Sequence, residues 1–381
     1  MIMKLDAWRE EIDEIDKGIV ELFSRRMQIA AKIAEAKKEE DLPVFDQQRE
    51  RKVMSKIIDM TEEEFAMYMK MLYSTIFDLS KNYQTKILER STKLTKMIEY
   101  AVQAPKVDFS KKTVVACQGV EGSYAGQAAD KLFPLGNMMH FENFSSVFHA
   151  VEQGLCQYGI LPVENSSAGS VTEVYELMNQ NQFYIVRTLR LHINHVLLTK
   201  KEGDISKITE IVSHEQALHQ CSEFLKQYPK VKLTVFENTA SAAKYVAESN
   251  REDIAAISSV NCAHLYGLHI AKRDVQNNEN NYTRFICISK NLEIPEGANR
   301  ISVMLSVSHR PGALHDMLGK IVSMGINLSK LESRPIPGKD FEFRFYFDID
   351  ASVYHKEVQA LLGDMEQSAE EFTFLGCYVE G

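Results

Sequence analysis

Apolar side chains recur at Leu5, Trp8, Ile12, Ile15, Ile19, Leu22, Ile29 and Ile33, in alternating steps of three and four around a single interruption. That spacing predicts one amphipathic helix from about Lys4 to Lys38. The interruption is Arg26, which continues the stripe but carries a guanidinium. A charge in a helix seam costs several kcal/mol unless it is paired. Lys37 lies about three turns further on and points the same way. Two cations turned toward one helical interior predict a pocket for an anion. Pro43 breaks the helix, and Asp46 opens a second one carrying Arg49, Val53, Ile57 and Ile58. Thr61 and Glu64 have the spacing of a capping box for a third helix. Phe65, Met69, Leu72, Ile76 and Leu79 share one of its faces as it runs to about Thr92. A helix of ~35 residues spans roughly 50 Å, so pairing of the long helices of two copies is expected.

After a weakly patterned stretch interrupted by Pro105, the period changes. Short apolar runs (TVVAC, YGILPVEN, ITEIVS, VKLTVFE, DIAAIS, RFICIS) alternate with helical stretches after Ser123 and Ser170 and between the later runs. This alternation predicts α/β layers with partly parallel sheets, in one domain or two lobes with a cleft. Ligands in such folds sit beyond the carboxyl ends of strands. The last 80 or so residues read as strand RISVMLSV, helix ALHDMLGKIVSMG stopped by Gly325, strands INLSKLESRP and EFRFYFDIDA, helix VYHKEVQALLGDMEQS and strand FTFLGCYV. The order βαββαβ is ferredoxin-like. The expected fold class is therefore multidomain: all-α, then two-lobed α/β, then ferredoxin-like.

Bulk properties narrow the function. A chain of 381 residues has room for two or three domains. A net charge of -9 argues against a nucleic-acid partner and leaves small anions open. Six cysteines (Cys117, Cys156, Cys221, Cys262, Cys287, Cys377) lack CxxC spacing and read as reduced thiols of a cytoplasmic protein. No run of about 18 apolar residues predicts a membrane span, and MIMKLDAWRE lacks a signal-peptide core. Neither a metal-ligand cluster nor a nucleotide fingerprint is present in the sequence, so no metal and no cofactor are expected.

Within the helical segment, Asp46, Arg49 and Glu50 share one helix face, and Ser80 and Gln84 share another. Taken in order, Arg9, Arg26, Lys37, Asp46, Arg49, Glu50, Ser80 and Gln84 resemble the all-helical chorismate mutase family. The resemblance implies a pericyclic rearrangement of chorismate to prephenate, with no nucleophile and no proton transfer. A catalyst of that step holds a compact conformer and stabilises charge as the ether bond breaks. By resemblance, Arg26 and Arg9 of a partner chain fork the two carboxylates. Lys37 and Gln84 donate to the ether oxygen, and Glu50 holds the substrate hydroxyl. Asp46 and Ser80 support, and Arg49 lies against the ring system.

The middle segment places polar blocks at predicted strand ends: GVEGSYAGQAA, PVENSSAGS, SHEQ and NYTRF. Together they resemble prephenate dehydratase, from about Thr113 to Leu292. The implied reaction expels the ring hydroxyl and carbon dioxide together, yielding phenylpyruvate. It needs an acid at the hydroxyl and cations or N–H groups for two carboxylates. The resemblance gives the acid role to Thr283, with Arg284 beside it, and lines the cleft with Asn165, Ser166, Ser167, Ser213, Gln216 and Glu237. The chain departs from the common pattern at Gln118-Gly119 and at Glu215, changes of loop stiffness more than of chemistry.

The final segment resembles the ACT regulatory domain. Gly312, Ala313 and Leu314, with Glu332, Ser333 and Arg334, are implied to frame an effector pocket, phenylalanine being the expected ligand. The implied division is 1–100 for the helical mutase domain, 113–292 for the dehydratase domain and 299–381 for the ACT domain. The expected function is a bifunctional enzyme of phenylalanine biosynthesis, a homodimer or higher homo-oligomer under phenylalanine feedback. The alternative is a non-catalytic two-lobed small-anion binding or sensor protein with a helical dimerisation arm.

Overall fold

The structure is a computed structural model and describes residues 2–40, 42, 44, 46–88, 92–105, 108–339 and 342–380. The chain divides into two compact units, residues 1–102 with 303–373, and residues 103–302 with 374–381. The first unit begins with α1 (Ile2–Glu39), α2 (Gln47–Asp59), α3 (Ala66–Leu88) and α4 (Lys93–Gln103). Asp46 is the N-cap of α2, its carboxylate accepting from Arg49 N at 2.9 Å. Pro43 lies outside the described residues. The expected capping box does not form. A short 3-10 turn, Glu63–Phe65, precedes α3, and the Thr61 hydroxyl donates back to Ile57 O at 2.6 Å, finishing α2 instead.

The apolar stripe of α1 is corrected in its direction. Leu5, Trp8, Ile12, Ile15, Ile19, Leu22, Ile29 and Ile33 are each between 45% and 68% exposed. The buried positions are Ala30 and Ala34, on one line with Arg26 at intervals of one turn. Small side chains let α1 approach α3 closely, and α1 packs on α3. Arg26 therefore belongs to the intrachain seam, while the large apolar residues face outward.

In the second unit, β1 (Val114–Gln118), α5 (Tyr124–Leu132), β2 (Asn137–Phe141), α6 (Phe144–Glu152), β3 (Tyr158–Asn165), β4 (Gly169–Ser170), α7 (Thr172–Gln180) and β5 (Tyr184–His192) build one lobe. The chain then crosses to β6 (Val196–Thr199), β7 (Glu210–His214), α8 (Glu215–Gln220), α9 (Ser222–Leu225), β8 (Lys232–Phe236), α10 (Thr239–Glu248), β9 (Ile254–Ser258), α11 (Val260–Tyr266) and β10 (His269–Lys272). It returns to the first lobe as β11 (Tyr282–Ser289). The sheet orders are β2-β1-β3-β11-β5, with β4 paired to β3, and β10-β6-β9-β7-β8. Both sheets mix parallel and antiparallel pairs: β1 runs parallel to β2 and β3 while β11 is antiparallel to β3 and β5, and β7 runs parallel to β8 and β9 while β6 is antiparallel to β9 and β10. Strand composition explains the second sheet. Val196, Leu198, Val212, Ile254 and Ala256 enter one core, while Leu197, Ile211, Ala255 and Ile257 enter another. A sheet covered on both faces needs apolar residues at every position. Strands β2, β5, β6 and β10 escaped the sequence reading. β2 shows why: it is an edge strand, and none of its residues is fully buried.

The C-terminal segment forms β12 (Arg300–Ser306), α12 (Ala313–Val322), β13 (Leu328–Pro335), β14 (Phe343–Ile349), α13 (Lys356–Ser368) and β15 (Glu371–Tyr378), in sheet order β13-β14-β12-β15. Within the first unit, α12 and α13 pack against α3. Gly363 keeps α13 close to α4, because a Cβ there would lie 3.1 Å from Thr95 Cγ2. Among the described residues, no helix is long and apolar enough to cross a membrane. All six cysteines are buried and none is in a disulfide.

Candidate active sites

A cavity of about 650 Å³ opens between the two lobes of the second unit. It lies beyond the carboxyl ends of β1, β2, β3, β7 and β8, and its lining includes Gln118, Asn143, Asn165, Gln216, Glu237 and Thr283. Helices α5, α6 and α10 begin there, with Ser123, Asn143 and Asn238 as N-caps accepting from Gly126 N, Ser146 N and Ser241 N at 3.2, 2.9 and 2.7 Å. Each cap satisfies one first-turn N–H and leaves others for an anion. Among the described residues lining the cavity there is no lysine or arginine, while Glu142, Glu173 and Glu237 do line it. First-turn backbone N–H groups are thus among the anion-binding groups this cleft offers, beside side-chain donors such as Gln118 and Gln216.

Thr283 and Asn165 are paired in register across β11 and β3 and are both buried. Asn165 Oδ1 accepts from Ser167 N and Ala168 N, each at 3.0 Å. These two backbone donors fix the amide, so Nδ2 is the atom facing Thr283 Oγ1 at 2.9 Å, Asn281 Oδ1 at 2.8 Å and Tyr282 O at 3.2 Å. Thr283 Oγ1 accepts that bond, which leaves its own O–H free to donate elsewhere.

Of the residues expected here, Asn165, Gln216, Glu237 and Thr283 line the cavity. Ser166, Ser167, Ser213 and Arg284 do not. Ser213 is fully buried and donates to Ile257 O at 2.6 Å, tying β7 to its neighbour. The Ser166 hydroxyl is occupied by Asn280 O and Tyr282 N, both at 2.9 Å. Ser167 contributes its backbone N–H to Asn165. Along β11, Thr283 and Phe285 line the cavity while the intervening Arg284 does not, as strand alternation requires. Gln220, His195 and Tyr124, which the sequence reading passed over, do line the cavity. Gln220 Nε2 donates to Asn165 Oδ1 at 3.2 Å. No short motif announces Gln220, because it lies one turn beyond the SHEQ block, at the end of the same helix α8; Asn281 stands inside the NYTRF block but carries no charge or nucleophile to mark it.

In the helical unit, Arg26 donates to the buried Ser80 hydroxyl and lies 5.8 Å from the centre of the Phe77 ring. Burial lowers its pKa, opposed by the nearby Tyr73. Gln84 is buried too, and its Oε1 has no hydrogen-bond partner among the described residues. Lys37 Nζ donates to Val44 O at 2.6 Å. Glu50 pairs with Lys81 at 3.3 Å, and Lys81 also pairs with Asp78 at 2.9 Å. Burial pulls the Lys81 ammonium down, but Asp78 and Glu50 outweigh it and raise its pKa. Arg49 is exposed, and Arg9 is exposed and paired with Asp6 at 3.2 Å.

In the C-terminal segment, a cavity of about 360 Å³ is lined by Ser308, Arg310, Ala313, Leu314, Phe343 and Phe345, among others. Gly312 is the N-cap of α12 at φ 85°, a left-handed conformation that favours glycine. Glu332, Ser333 and Arg334 lie on β13 and are not among the lining residues; Arg334 pairs with Glu332 at 2.9 Å.

The sequence profile of the prephenate dehydratase family matches residues 115–293, and that of chorismate mutase type II matches residues 8–85. The bifunctional chorismate mutase/prephenate dehydratase of Escherichia coli is 30% identical over 387 residues, covering 98% of this chain and 95% of that protein. The corresponding enzyme of Aquifex aeolicus is 29% identical, covering 98% of each chain. A crystal structure of prephenate dehydratase from Arthrobacter aurescens in complex with L-Phe matches with a TM-score of 0.65 and 26% identity, over 70% of this chain and 90% of that one. The class so defined is a two-site enzyme, an isomerase on helices joined to a lyase in an α/β cleft. The chain belongs to the bifunctional chorismate mutase/prephenate dehydratase family. It rearranges chorismate to prephenate and converts prephenate to phenylpyruvate, and the non-catalytic alternative is not favoured.

Proposed function

We propose that Thr283 is the acid of the dehydratase and that Lys37, Gln84 and Glu50 carry the mutase step. The observation that carries the first assignment is the hydrogen bond from Asn165 Nδ2 to Thr283 Oγ1, which commits the oxygen as acceptor and frees the proton. In dehydration, the bond from the ring to its carboxylate breaks and releases carbon dioxide. Its electron pair enters the ring, and the hydroxyl leaves as water with the Thr283 proton, which solvent restores. The dry setting that a hydroxyl acid requires is consistent with the burial of Thr283. The first-turn N–H groups of α5, α6 and α10 receive the substrate carboxylates, with Asn165, Gln216 and Glu237 positioning the ring.

In the mutase site, Arg26 and the partner chain's Arg9 hold the carboxylates, and Ser80, Asp46 and Arg49 support the substrate. Support for this reading comes from the buried Gln84, whose Oε1 has no hydrogen-bond partner among the described residues, and from the inward Arg26. The exposed stripe from Leu5 to Leu22 supports a homodimer paired through α1. The strand order β13-β14-β12-β15 supports a ferredoxin-like ACT module. Phenylalanine binds there at Gly312, Ala313 and Leu314, with Glu332, Ser333 and Arg334 shaping β13 behind the pocket, and inhibits dehydration. The three parts correspond to residues 1–100, 113–292 and 299–381, and the cysteines, none of them in a disulfide, support a cytoplasmic enzyme. The test follows chorismate loss and phenylpyruvate appearance with and without added phenylalanine. Both activities and a fall in dehydration on adding phenylalanine are expected; unchanged dehydration with phenylalanine overturns the regulatory part.

A further inference from the structure

Between the lobes, the chain crosses outward through Ile193, Asn194 and His195 and returns through residues 273–281. The two crossings are bonded together, Val275 N to His195 O at 3.1 Å and Ile193 N to Asn281 O at 2.7 Å. His195 sits in this double strap, 2% exposed. Its Nε2 lies 3.1 Å from Gln220 Oε1 in the second lobe, and its Nδ1 lies 3.3 Å from the hydroxyl of Tyr124 in the first.

Polarity along this chain of groups is not free. Ser167 N and Ala168 N make Asn165 Oδ1 an acceptor, so the Gln220 atom facing it must be Nε2. Gln220 Oε1 then faces Asn281 Nδ2 at 3.1 Å and His195 Nε2. Asn281 Oδ1 in turn accepts from Asn165 Nδ2. Each group satisfies its neighbour in one sense only. With Gln220 Oε1 an acceptor, the imidazole nitrogen facing it carries the proton, and Nδ1 competes with Asn194 O, 2.8 Å away, for the single Tyr124 O–H.

We propose that His195 is a positioning residue for dehydration: its Nε2–H holds the Gln220 amide against Asn165, which keeps Thr283 oriented with its O–H free for the substrate. Burial pushes the His195 pKa down to about 4, opposed by its bond to Gln220, so the ring stays neutral at the working pH and one tautomer suffices. The inference rests on the reading of Thr283 as the acid, which Thr283→Val tests separately.

His195→Leu removes the donor, and His195→Gln retains an N–H at nearly the same reach. On the full chain, His195→Leu should lower dehydratase kcat about tenfold with KM little changed, the worth of roughly one buried hydrogen bond. His195→Gln should recover most of that loss, and mutase turnover on the same molecules should not change. A His195→Leu enzyme within about twofold of wild-type kcat overturns the proposal, as does equal loss in both variants at equal melting temperature. If His195→Leu does not fold, neutron diffraction from deuterated wild-type crystals decides. A deuteron on Nε2 upholds the relay, and one on Nδ1 alone overturns it. An active Thr283→Val enzyme would instead sink the acid assignment, whatever the His195 variants do.

Discussion

Replacing Thr283 by valine separates chemistry from stability at one position. The swap exchanges a hydroxyl for a methyl at nearly constant volume. Asn165 Nδ2 loses its 2.9 Å bond but keeps Asn281 Oδ1 at 2.8 Å and Tyr282 O at 3.2 Å. No buried donor is orphaned, so the stability cost is about 1 kcal/mol. For a unit of this size that is a fall in Tm of roughly 2–4 °C. Loss of the proton donor removes a factor of about 10²–10⁴ from kcat, equivalent to roughly 3–5 kcal/mol of barrier. The assay follows phenylpyruvate formation from prephenate, with chorismate consumption by the same sample as the control. A variant that dehydrates within about threefold of wild type refutes the acid role. A fall in Tm beyond about 10 °C refutes the claim that Asn165 stays satisfied.

Lys37→Ala should reduce mutase turnover by about 10²–10³ and spare dehydration of supplied prephenate; near-normal chorismate consumption would remove Lys37 from the site. Ile19→Glu places a charge in the exposed stripe of α1 and should convert dimers to monomers in sedimentation, with loss of mutase but not dehydratase activity. An unchanged sedimentation profile would show that the stripe is not the dimer seam. Acid should weaken the dehydratase unit in a defined window. Unfolded chains protonate histidine near the ordinary pKa of 6.5, whereas folded His195 does so at about 4. Between those values the unfolded state binds more protons, so stability falls as pH drops through the window, by roughly 3 kcal/mol in all. Urea titrations at several pH values should show a shallower slope for His195→Gln, with His214, lowered mainly by burial, supplying part of the remainder. An identical slope in both proteins would contradict a neutral buried His195.

Much of the architecture was already written in local periodicity. Between Val114 and Ser289, strands β1, β3, β7, β8, β9 and β11 follow from short apolar runs bounded by capping residues, whereas β2, β5, β6 and β10 do not. The βαββαβ order of the C-terminal segment follows from its alternation of periods. These features depend on interactions within a few residues, so one chain suffices to read them. Arg26 announced itself because a guanidinium in an apolar stripe is an anomaly visible without coordinates. Direction was less legible. Periodicity says that Leu5 to Ile33 share a face but not what covers it, and the α3-facing line proved to be Arg26, Ala30 and Ala34. Likewise, SHEQ and YTRF marked strand ends, but alternation along β11 put Thr283 and not Arg284 on the cavity side. Gln220 and Asn281 meet Asn165, and His195 meets Gln220, from segments far apart in the chain. Their types are ordinary and their spacing is uninformative. Only the folding of two lobes around a double crossover makes neighbours of them, because hydrogen-bond polarity is settled by distances that no local pattern encodes.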